Sequence, residues 1–245
     1  EEAVGEAGIS LRDVSAVAVT HGPGLVGSLL VGVIAAKSLA LALGVPLIGV
    51  HHIAGHIYAN QLAGSLEYPL VALVVSGGHT ELVFMPSEGR FEIIGKTRDD
   101  AVGEAYDKVA RAMGLPYPGG PHVDKLAQQA DEEIELPRAW LEDETYDFSF
   151  SGLKSAVLAQ VNQAKMKGDV VNKAGLALGF QNSAVEVLVS KTMRASRQFG
   201  AKQVLLCGGV AANRGLRGAL SAACEKAGLP LAVPPLALCT DNAAM

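Results

Sequence analysis

Residues 70–80 read LVALVVSGGHT, and the fold that the sequence predicts is built outward from them. Six consecutive apolar residues are typical of a strand buried in a sheet. The SGGH that follows is a turn, and residues 80–85 again have a strand composition, so the two segments form a hairpin. A strand that ends in a glycine-rich turn is therefore the central feature of this sequence.

Strands and helices alternate on both sides of this hairpin. The predicted strands are 13–20, 45–50, 70–75, 80–85, 91–95, 203–207 and 231–233, and the predicted helices are 29–43, 51–62, 101–113, 121–130, 154–165, 171–199 and 216–227, with a mixed loop at 131–150. Glycine-rich turns join a strand to a helix at 22–27 and again at 208–215. This alternation predicts an α/β fold, and the two similar turns predict two lobes, 1–67 and 68–245. The chain begins within a helical pattern and stops before another one, so the sequence predicts a partial chain.

Composition excludes several classes of protein. Of the 245 residues, 49% are apolar, 18% are charged and 5% are aromatic, which excludes a disordered chain. The formal net charge is -5, so any contact with nucleic acid needs a local basic patch. The candidates for such a patch are Lys96, Arg98, Lys108, Arg111, Arg214 and Arg217, which a solvated surface explains equally well. Three cysteines without a CxxC spacing predict a reducing compartment.

The most apolar region, 28–50, does not have the pattern of a membrane span. Lys37 and Pro46 interrupt it, whereas a span needs roughly 20 apolar residues without such breaks. The pattern instead predicts a buried helix followed by a buried strand. The sequence also predicts no signal peptide and no membrane partner.

The sharpest local feature is His52-Ile-Ala-Gly-His56. On a helix, residues four apart lie on one face, so both imidazoles can reach one metal ion. Two surface histidines at a chance spacing are the alternative, and for this motif alone they are the commoner case. A zinc peptidase of the HExxH type needs Glu directly after the first histidine, and Ile53 occupies that position. Asp241 follows two prolines and is interpreted either as a helix N-cap or as a carboxylate that completes the metal set.

The glycine-rich turns and two carboxylates are candidate nucleotide contacts. Backbone N–H groups in the SGGH turn can bind a phosphate, although an ordinary hairpin turn is the alternative. The GGVAAN turn ends at Asn213, where a helix N-terminus favours anions, and a plain βα turn is its alternative. Asp107 and Asp124 lie around the Pro/Gly-rich loop that contains Gly120, and carboxylates near such loops can bind ribose hydroxyls. A solvated helix face is the alternative for Asp107.

Nine segments together resemble one family. They are AVTHGPGLVGSLLVG, GVHHIAGHIYAN, LVVSGGHTEL, DDAVGEAYDKVAR, YPGGP, DFSFSGLKSAV, GFQNSAVEVLV, CGGVAANRGLR and CTDNAAM, in family order over nearly the whole chain. Each segment alone is weak, but the ordered set resembles the bacterial type of the TsaD family of tRNA N6-adenosine threonylcarbamoyltransferases, formerly named O-sialoglycoprotein endopeptidases. The resemblance implies the two-lobed α/β fold of actin, Hsp70 and the sugar kinases, in which each lobe has a mixed sheet flanked by helices.

The resemblance also implies a reaction and a site. The threonylcarbamoyl group of threonylcarbamoyl-AMP passes to N6 of adenosine 37 in tRNAs that read codons beginning with A, and AMP leaves. The implied metal ligands are His52, His56 and Asp241, which hold one divalent ion per subunit, Fe2+ ahead of Zn2+. The implied substrate-binding residues are Val74, Val75, Ser76, Gly77, Gly78, Asp107, Gly120, Asp124 and Asn213. His79 is the candidate catalytic residue for proton transfer, from its position alone.

The implied partners are tRNA, the adenylate donor and the proteins TsaB and TsaE, and the implied location is the cytoplasm. Two departures from the family pattern matter. Val74 stands near the position of a metal-ligating tyrosine in archaeal and eukaryotic relatives, and the family's N-terminal strand and loop are not in the sequence. A metal-dependent glycoprotein endopeptidase and a nucleotide-binding, actin-like scaffold without transfer chemistry are the alternative functions.

Overall fold

The structure is a computed structural model that describes residues 2–139 and 144–245. Its contacts divide the chain into two compact units, Glu1–Gly55 and His56–Met245. The boundary falls inside a helix, and the lobes 1–67 and 68–245 stay a prediction. Part of the loop predicted for 131–150 lies outside the described residues.

The first unit is a small parallel α/β arrangement. It contains α1 (Glu2–Glu6), a 3-10 turn at Leu11–Asp13, β1 (Val17–Gly22), α2 (Val26–Leu43) and β2 (Leu47–His51). The two strands pair in parallel, with Val17 opposite Leu47. α2 ends where Gly44 takes a left-handed conformation with φ 66°, because this conformation carries little steric cost for glycine.

α2 is more exposed than the sequence predicts. Among the described residues it is the helix that is long and apolar enough to cross a membrane, judged by length and composition alone. Only Ala36 and Ala40 are buried, whereas Leu30, Val31 and Ile34 are 56%, 72% and 54% exposed. The prediction of a buried helix and a buried strand is therefore wrong for this unit as described, because a pair of strands is too narrow to cover an apolar helix of 18 residues. The predicted lack of a membrane partner stays a prediction.

Within the described part of the chain, the second unit is built on a five-stranded mixed sheet. Its strands are β3 (Leu70–Val75), β4 (Thr80–Met85), β5 (Glu92–Lys96), β6 (Gln203–Cys207) and β7 (Leu231–Ala232), in the order β5-β4-β3-β6-β7. β3 and β4 are antiparallel, with Val75 opposite Thr80, which confirms the predicted hairpin. β3 and β6 are parallel, with Leu70 opposite Gln203. The turns that follow β3 and β6 therefore lie at the same edge of the sheet.

Helices pack against this sheet. The chain crosses from the first unit in α3 (His52–Tyr58) and continues through 3-10 turns at Ala59–Leu62 and Gly209–Ala212 and through α4 (Val102–Ala112), α5 (Gly119–Ala127), α6 (Ser151–Lys167), α7 (Lys173–Gln198), α8 (Arg214–Ala227) and α9 (Leu236–Cys239). The core joins strands and helices through buried residues such as Leu73, Val109, Val157 and Phe180. The predicted α/β class with a mixed sheet flanked by helices is confirmed, and most predicted elements are present with their ends shifted by a few residues.

Candidate active site

The SGGH turn lies at the carboxyl end of β3 and is closed by its own hydrogen bonds. Ser76 N donates to the carbonyl oxygen of His79 at 2.8 Å, and His79 N donates to Ser76 Oγ at 3.1 Å. Gly77 and Gly78 are exposed between them, and a Cβ added to either would meet no described atom within 4 Å. A phosphate can therefore approach the backbone of both glycines closely, as in other turns that bind anions.

The N-terminus of α4 packs directly on this turn. A Cβ added to Gly103 would lie 2.4 Å from the carbonyl oxygen of Ser76. Val102 N donates to Thr80 Oγ1 at 2.9 Å, so the first residue of β4 supplies a hydrogen bond to the start of the helix. The close approach requires glycine, and it fixes α4 and its carboxylate Asp107 relative to the turn.

The GGVAAN turn meets the same strand end. Gly208 has φ 88°, and a Cβ added there would lie 2.4 Å from the carbonyl oxygen of Val75. Val74 and Val75 are themselves fully buried in the sheet. Because their side chains lie in the core, only their backbone atoms are available for the substrate binding that is predicted for them.

Two carboxylates lie on the helices that follow. Asp107 on α4 accepts a hydrogen bond from Gly119 N at 2.7 Å and so holds the start of α5. Asp124 on α5 is 8% exposed, and its Oδ2 lies 3.5 Å from Arg214 N and 3.4 Å from Gln128 Nε2. Its Oδ1 is buried and has no hydrogen-bond donor among the described residues. Such an oxygen fits a ligand hydroxyl, because leaving it without a donor costs about 1–3 kcal/mol.

Both polar atoms of the Asn213 side-chain amide form hydrogen bonds within the protein. Its Oδ1 accepts a hydrogen bond from Leu216 N at 2.8 Å and caps α8, and its Nδ2 donates to Gln181 Oε1 at 2.8 Å. Tyr106 Oη lies 3.4 Å from the same Nδ2. Neither Gln181 nor Tyr106 is among the predicted site residues, although a glutamine within the run GFQNSAV signals a buried hydrogen bond.

The cluster of Tyr106, Gln181 and Asn213 is electrically neutral. Burial raises the pKa of the Tyr106 phenol far above its usual value, and the negative charge of Asp124 adds to this effect. The phenol therefore stays protonated around neutral pH. The cluster supports the start of α8 through hydrogen bonds between neutral groups, which are strong in a buried setting.

The predicted metal ligands lie together. His52 and His56 are one turn apart on α3, and His56 is 1% exposed. His56 Nε2 lies 3.2 Å from Asp241 Oδ1, in the segment after α9. Each of the three residues has a ligand atom within 4.8 Å of those of the other two. Two imidazoles and a carboxylate are a set that iron and zinc both accept, so these residues fit the divalent ion that the family resemblance implies.

His79 and Gly120 are both partly exposed. A Cβ added to Gly120 would meet no described atom within 4 Å, so the start of α5 has room for a ligand. His79 closes the SGGH turn through its backbone, directly before β4. The roles of both residues in substrate binding and proton transfer stay predictions.

Several of the basic residues considered for tRNA contact have partners inside the protein. Arg98 and Lys108 each form a salt bridge with an aspartate at 2.8 Å. Arg217 donates to backbone carbonyls of the second unit. These contacts show that the three side chains stabilise the protein internally. A tRNA contact for any of the six candidates stays a prediction.

Asp99 and Asp100 form an internal clamp that the sequence does not signal. Asp99 Oδ1 accepts a hydrogen bond from Phe150 N at 2.8 Å, just before α6. Asp100 accepts hydrogen bonds from Lys108 Nζ at 2.8 Å and from Lys154 Nζ. Burial disfavours the charged form of Asp100, but these hydrogen bonds outweigh burial and hold the pKa below 3.8. The clamp fastens the loop before α4 to α6.

Glycine-rich turns at the carboxyl ends of neighbouring parallel strands, with carboxylates on nearby helices, define an α/β protein with a candidate nucleotide-binding site at one edge of its sheet. The model of one family, described as TsaD: tRNA N6-adenosine threonylcarbamoyltransferase, matches residues 1–245. A protein of that name from Shouchella clausii (strain KSM-K16) is 64% identical over 245 residues, which are 100% of this chain and 73% of that protein. Its counterpart from Bacillus subtilis (strain 168) is 61% identical over 246 residues, which cover 100% of this chain and 71% of that protein. The chain belongs to the tRNA N6-adenosine threonylcarbamoyltransferase family.

Solved structures share the fold at low sequence identity. Full-length HypF in its phosphate- and nucleotide-bound form has a TM-score of 0.67 and 17% identity, covering 93% of this chain and 37% of that chain. Component A of the (R)-2-hydroxyglutaryl-CoA dehydratase of Acidaminococcus fermentans has a TM-score of 0.55 and 16% identity, covering 96% of this chain and 75% of that chain. Both likenesses support the fold class and extend no further than the fold.

Proposed function

We propose that this chain transfers the threonylcarbamoyl group from threonylcarbamoyl-AMP to N6 of adenosine 37 in tRNAs that read codons beginning with A, releasing AMP. The observation that carries the proposal is the match of one transferase family over residues 1–245. The arrangement of the second unit supports it, because the two glycine-rich turns follow neighbouring parallel strands at one edge of the sheet.

We place the adenylate donor at this edge. Gly77 and Gly78 are exposed, so their backbone N–H groups can bind the phosphate and stabilise the charge that AMP carries as it leaves. The buried Oδ1 of Asp124 suits a ribose hydroxyl. Asn213 contributes by fixing the start of α8, since a helix N-terminus favours an anion. The remaining residues proposed for the donor are Val74, Val75, Ser76, Asp107 and Gly120.

The transfer forms a bond between N6 of the adenosine and the carbamoyl carbon, and it breaks the bond from that carbon to a phosphate oxygen of AMP. The electron pair of the broken bond leaves with AMP, and N6 loses a proton. We assign His79 to accept this proton, because it is a partly exposed imidazole at the end of the SGGH turn. The leaving phosphate needs no proton donor, since it is stable as an anion.

His52, His56 and Asp241 would hold one divalent ion. On the family resemblance, we propose Fe2+ ahead of Zn2+. When bound, such an ion supplies a Lewis acid for a carbonyl oxygen. His56 is buried, so its ring is held by the protein around it, whereas the Asp241 side chain is 78% exposed. The set therefore has one firmly held ligand and one that faces solvent.

We propose tRNA, TsaB and TsaE as partners and the cytoplasm as the location, on the family resemblance. The thiols fit the reducing compartment that the cysteine spacing predicts. Cys207, Cys224 and Cys239 are buried and not in disulfides. Burial raises the pKa of Cys207 to about 12, which keeps this thiol protonated and unreactive.

A transfer assay tests the function. It combines unmodified tRNA, the adenylate donor, the partner proteins and either this chain or a version as long as its relatives, and it measures modified adenosine and released AMP. We expect modification that is lost in His52→Ala and retained in the matched control His51→Ala, whose histidine is exposed next to the metal set. Absence of modified adenosine with the longer version would contradict the transferase proposal.

A second variant tests the proton carrier. His79→Ala removes the imidazole but leaves the backbone that closes the SGGH turn, so donor binding should persist while turnover falls about 100-fold. Donor affinity and single-turnover rate separate the two effects. An unchanged rate would remove His79 from the mechanism. Glycoprotein cleavage, the peptidase alternative, is not favoured, because Ile53 occupies the place of the catalytic glutamate.

A further inference from the structure

We propose that Arg217 is a positioning residue that couples the candidate metal centre to the nucleotide-binding turn. This inference rests on the proposed function, because it assumes that the turn binds the adenylate and that Asp241 binds the ion. Arg217 itself is a predicted candidate for tRNA contact, and its side chain is only partly exposed. Its hydrogen bonds point to a different task.

One guanidinium joins two segments that are distant along the chain. Arg217 Nε donates to the carbonyl oxygen of Ala211 at 2.5 Å, and its Nη2 donates to the carbonyl oxygen of Pro234 at 3.1 Å. Ala211 belongs to the GGVAAN turn and lies two residues before Asn213. Pro234 begins the segment that leads through α9 to Asp241. The same side chain therefore holds the turn and the approach to a metal ligand.

The segment after Pro234 is tied to this guanidinium a second time. Arg217 Nη2 lies 3.5 Å from Cys239 Sγ, and Cys239 is fully buried. The carbonyl oxygens of Pro234 and Pro235 lie 3.5 Å and 3.6 Å from the same Sγ and share its single S–H hydrogen. These contacts fold residues 234–239 into a compact strap over Arg217, two residues before Asp241.

The position of Asp241 depends on this strap. Its side chain is 78% exposed and is contacted by His56 Nε2 at 3.2 Å, and the backbone that leads to it is held by the strap. A planar guanidinium can serve two carbonyls in fixed directions, whereas the ammonium group of lysine is a point charge without that geometry. A ligand that orders the turn at Ala211 will therefore also order Asp241, and the coupling must work in both directions.

The test measures binding, without turnover. The chain is freed of metal with a chelator, AMP affinity is measured by calorimetry with and without Zn2+, and Zn2+ affinity is measured against a chromophoric chelator with and without AMP. AMP lacks the threonylcarbamoyl group, so it reports on the turn. We expect each ligand to strengthen the other about 5- to 10-fold, within the usual range of coupling between sites.

Arg217→Lys should retain binding of both ligands, reduce the coupling ratio to about 1 and weaken Zn2+ binding about 10-fold, as for other residues that orient metal ligands. Lys226→Ala, an exposed change on the same helix, is the matched control and should keep the ratio of the unchanged chain. If Arg217→Lys does not fold, as judged by thermal unfolding, Arg217→Gln provides the same comparison.

Three outcomes would overturn the inference. A coupling ratio that survives the loss of the guanidinium would mean that the two ligands touch directly. Independent binding of AMP and Zn2+ to the unchanged chain would remove the coupling but leave the proposed function standing. Failure of the unchanged chain to bind either ligand would count against the proposed site itself.

Discussion

α2 in the first unit and α7 in the second differ in burial far more than their sequences suggest. α2 has a long apolar sequence, yet only Ala36 and Ala40 are buried. α7 contains charged and polar residues, yet more than half of its length is buried, including Phe180 and Lys191. The sheets explain the difference within the described residues, since a pair of strands lies beside α2 and a five-stranded sheet supports the core around α7. Apolar composition creates the tendency to be buried, and the partner surface decides whether it is realised.

Replacing a leucine should produce the largest difference in stability effect between the two units. Leu73 in β3 is fully buried, and Leu41 in α2 is 85% exposed. We expect Leu73→Ala to lower the free energy of unfolding of the second unit by about 4 kcal/mol, because it removes apolar contacts and leaves a cavity. Leu41→Ala should change the free energy of unfolding of the first unit by less than about 0.5 kcal/mol. Urea unfolding with hydrogen exchange, which reports each unit separately, measures both values, and equal losses would contradict the comparison.

Glycine-to-alanine changes in the two helices should have opposite signs. A Cβ added to Gly179 in α7 would lie 1.9 Å from the carbonyl oxygen of Ile134, so Gly179→Ala should destabilise the second unit by about 3 kcal/mol. A Cβ added to Gly32 in α2 would make an ordinary contact at 3.9 Å with Val19 Cγ2. Gly32→Ala should therefore stabilise the first unit by about 0.5–1 kcal/mol, because alanine is the better helix former. Hydrogen exchange resolves the two effects, and destabilisation by Gly32→Ala would show that α2 is packed more tightly than described.

Acid should weaken the second unit through Asp100. The pKa of this carboxyl is held below 3.8 because hydrogen bonds from Lys108 and Lys154 outweigh burial, so its stabilisation is present above pH 3.8 and is lost as the pH falls through the lowered pKa. We expect Asp100→Asn to cost about 2 kcal/mol at pH 7 and to flatten the acid limb of the stability curve. Unfolding measured from pH 7 to pH 2 tests this. If the stability of Asp100→Asn falls as steeply with acid as that of the unchanged chain, the carboxyl that titrates is not Asp100.

Helix capping should produce the smallest contrast. Asn172 caps α7 by accepting a hydrogen bond from Gly175 N at 2.9 Å, whereas Leu25 at the start of α2 supplies no side-chain hydrogen bond. Asn172→Ala should cost about 1 kcal/mol in the second unit. Leu25→Asp should add about 0.5–1 kcal/mol to the first unit, because the carboxylate can accept from the exposed N–H groups of the first turn. Thermal unfolding combined with hydrogen exchange, which reports each unit separately, measures both changes. A loss of stability in Leu25→Asp would contradict the expectation that the start of α2 lacks a side-chain cap.

Local sequence patterns predicted the elements of the fold and part of the site. The strand at 203–207 has the predicted ends, and the hairpin around the SGGH turn is confirmed, because both depend on neighbouring residues. The spacing of His52 and His56 similarly indicates a shared helix face. Asp241 was predicted as a metal ligand only because of the family resemblance, and it lies beside the two histidines.

Contacts between distant parts of the chain could not be predicted in this way. The exposure of α2 depends on what surface lies beside it, which no local pattern contains. The hydrogen bonds from Asn213 to Gln181 and from Arg217 to Pro234 join residues from different elements, and each depends on the packing of a whole unit. A single sequence records the presence of such polar residues but not their partners.

The crowding at the end of β3 limits how this site can be altered, by evolution or by design. No side chain can be introduced at Gly103 or Gly208 without displacing the backbone of Ser76 or Val75, so those two positions are closed to variation. Gly120 has open space around it and can accept a side chain. The size of the donor that the site accepts is therefore most readily changed by substitutions at the start of α5. A library of variants at Gly120 would test new substrates while the two glycine-rich turns stay unchanged.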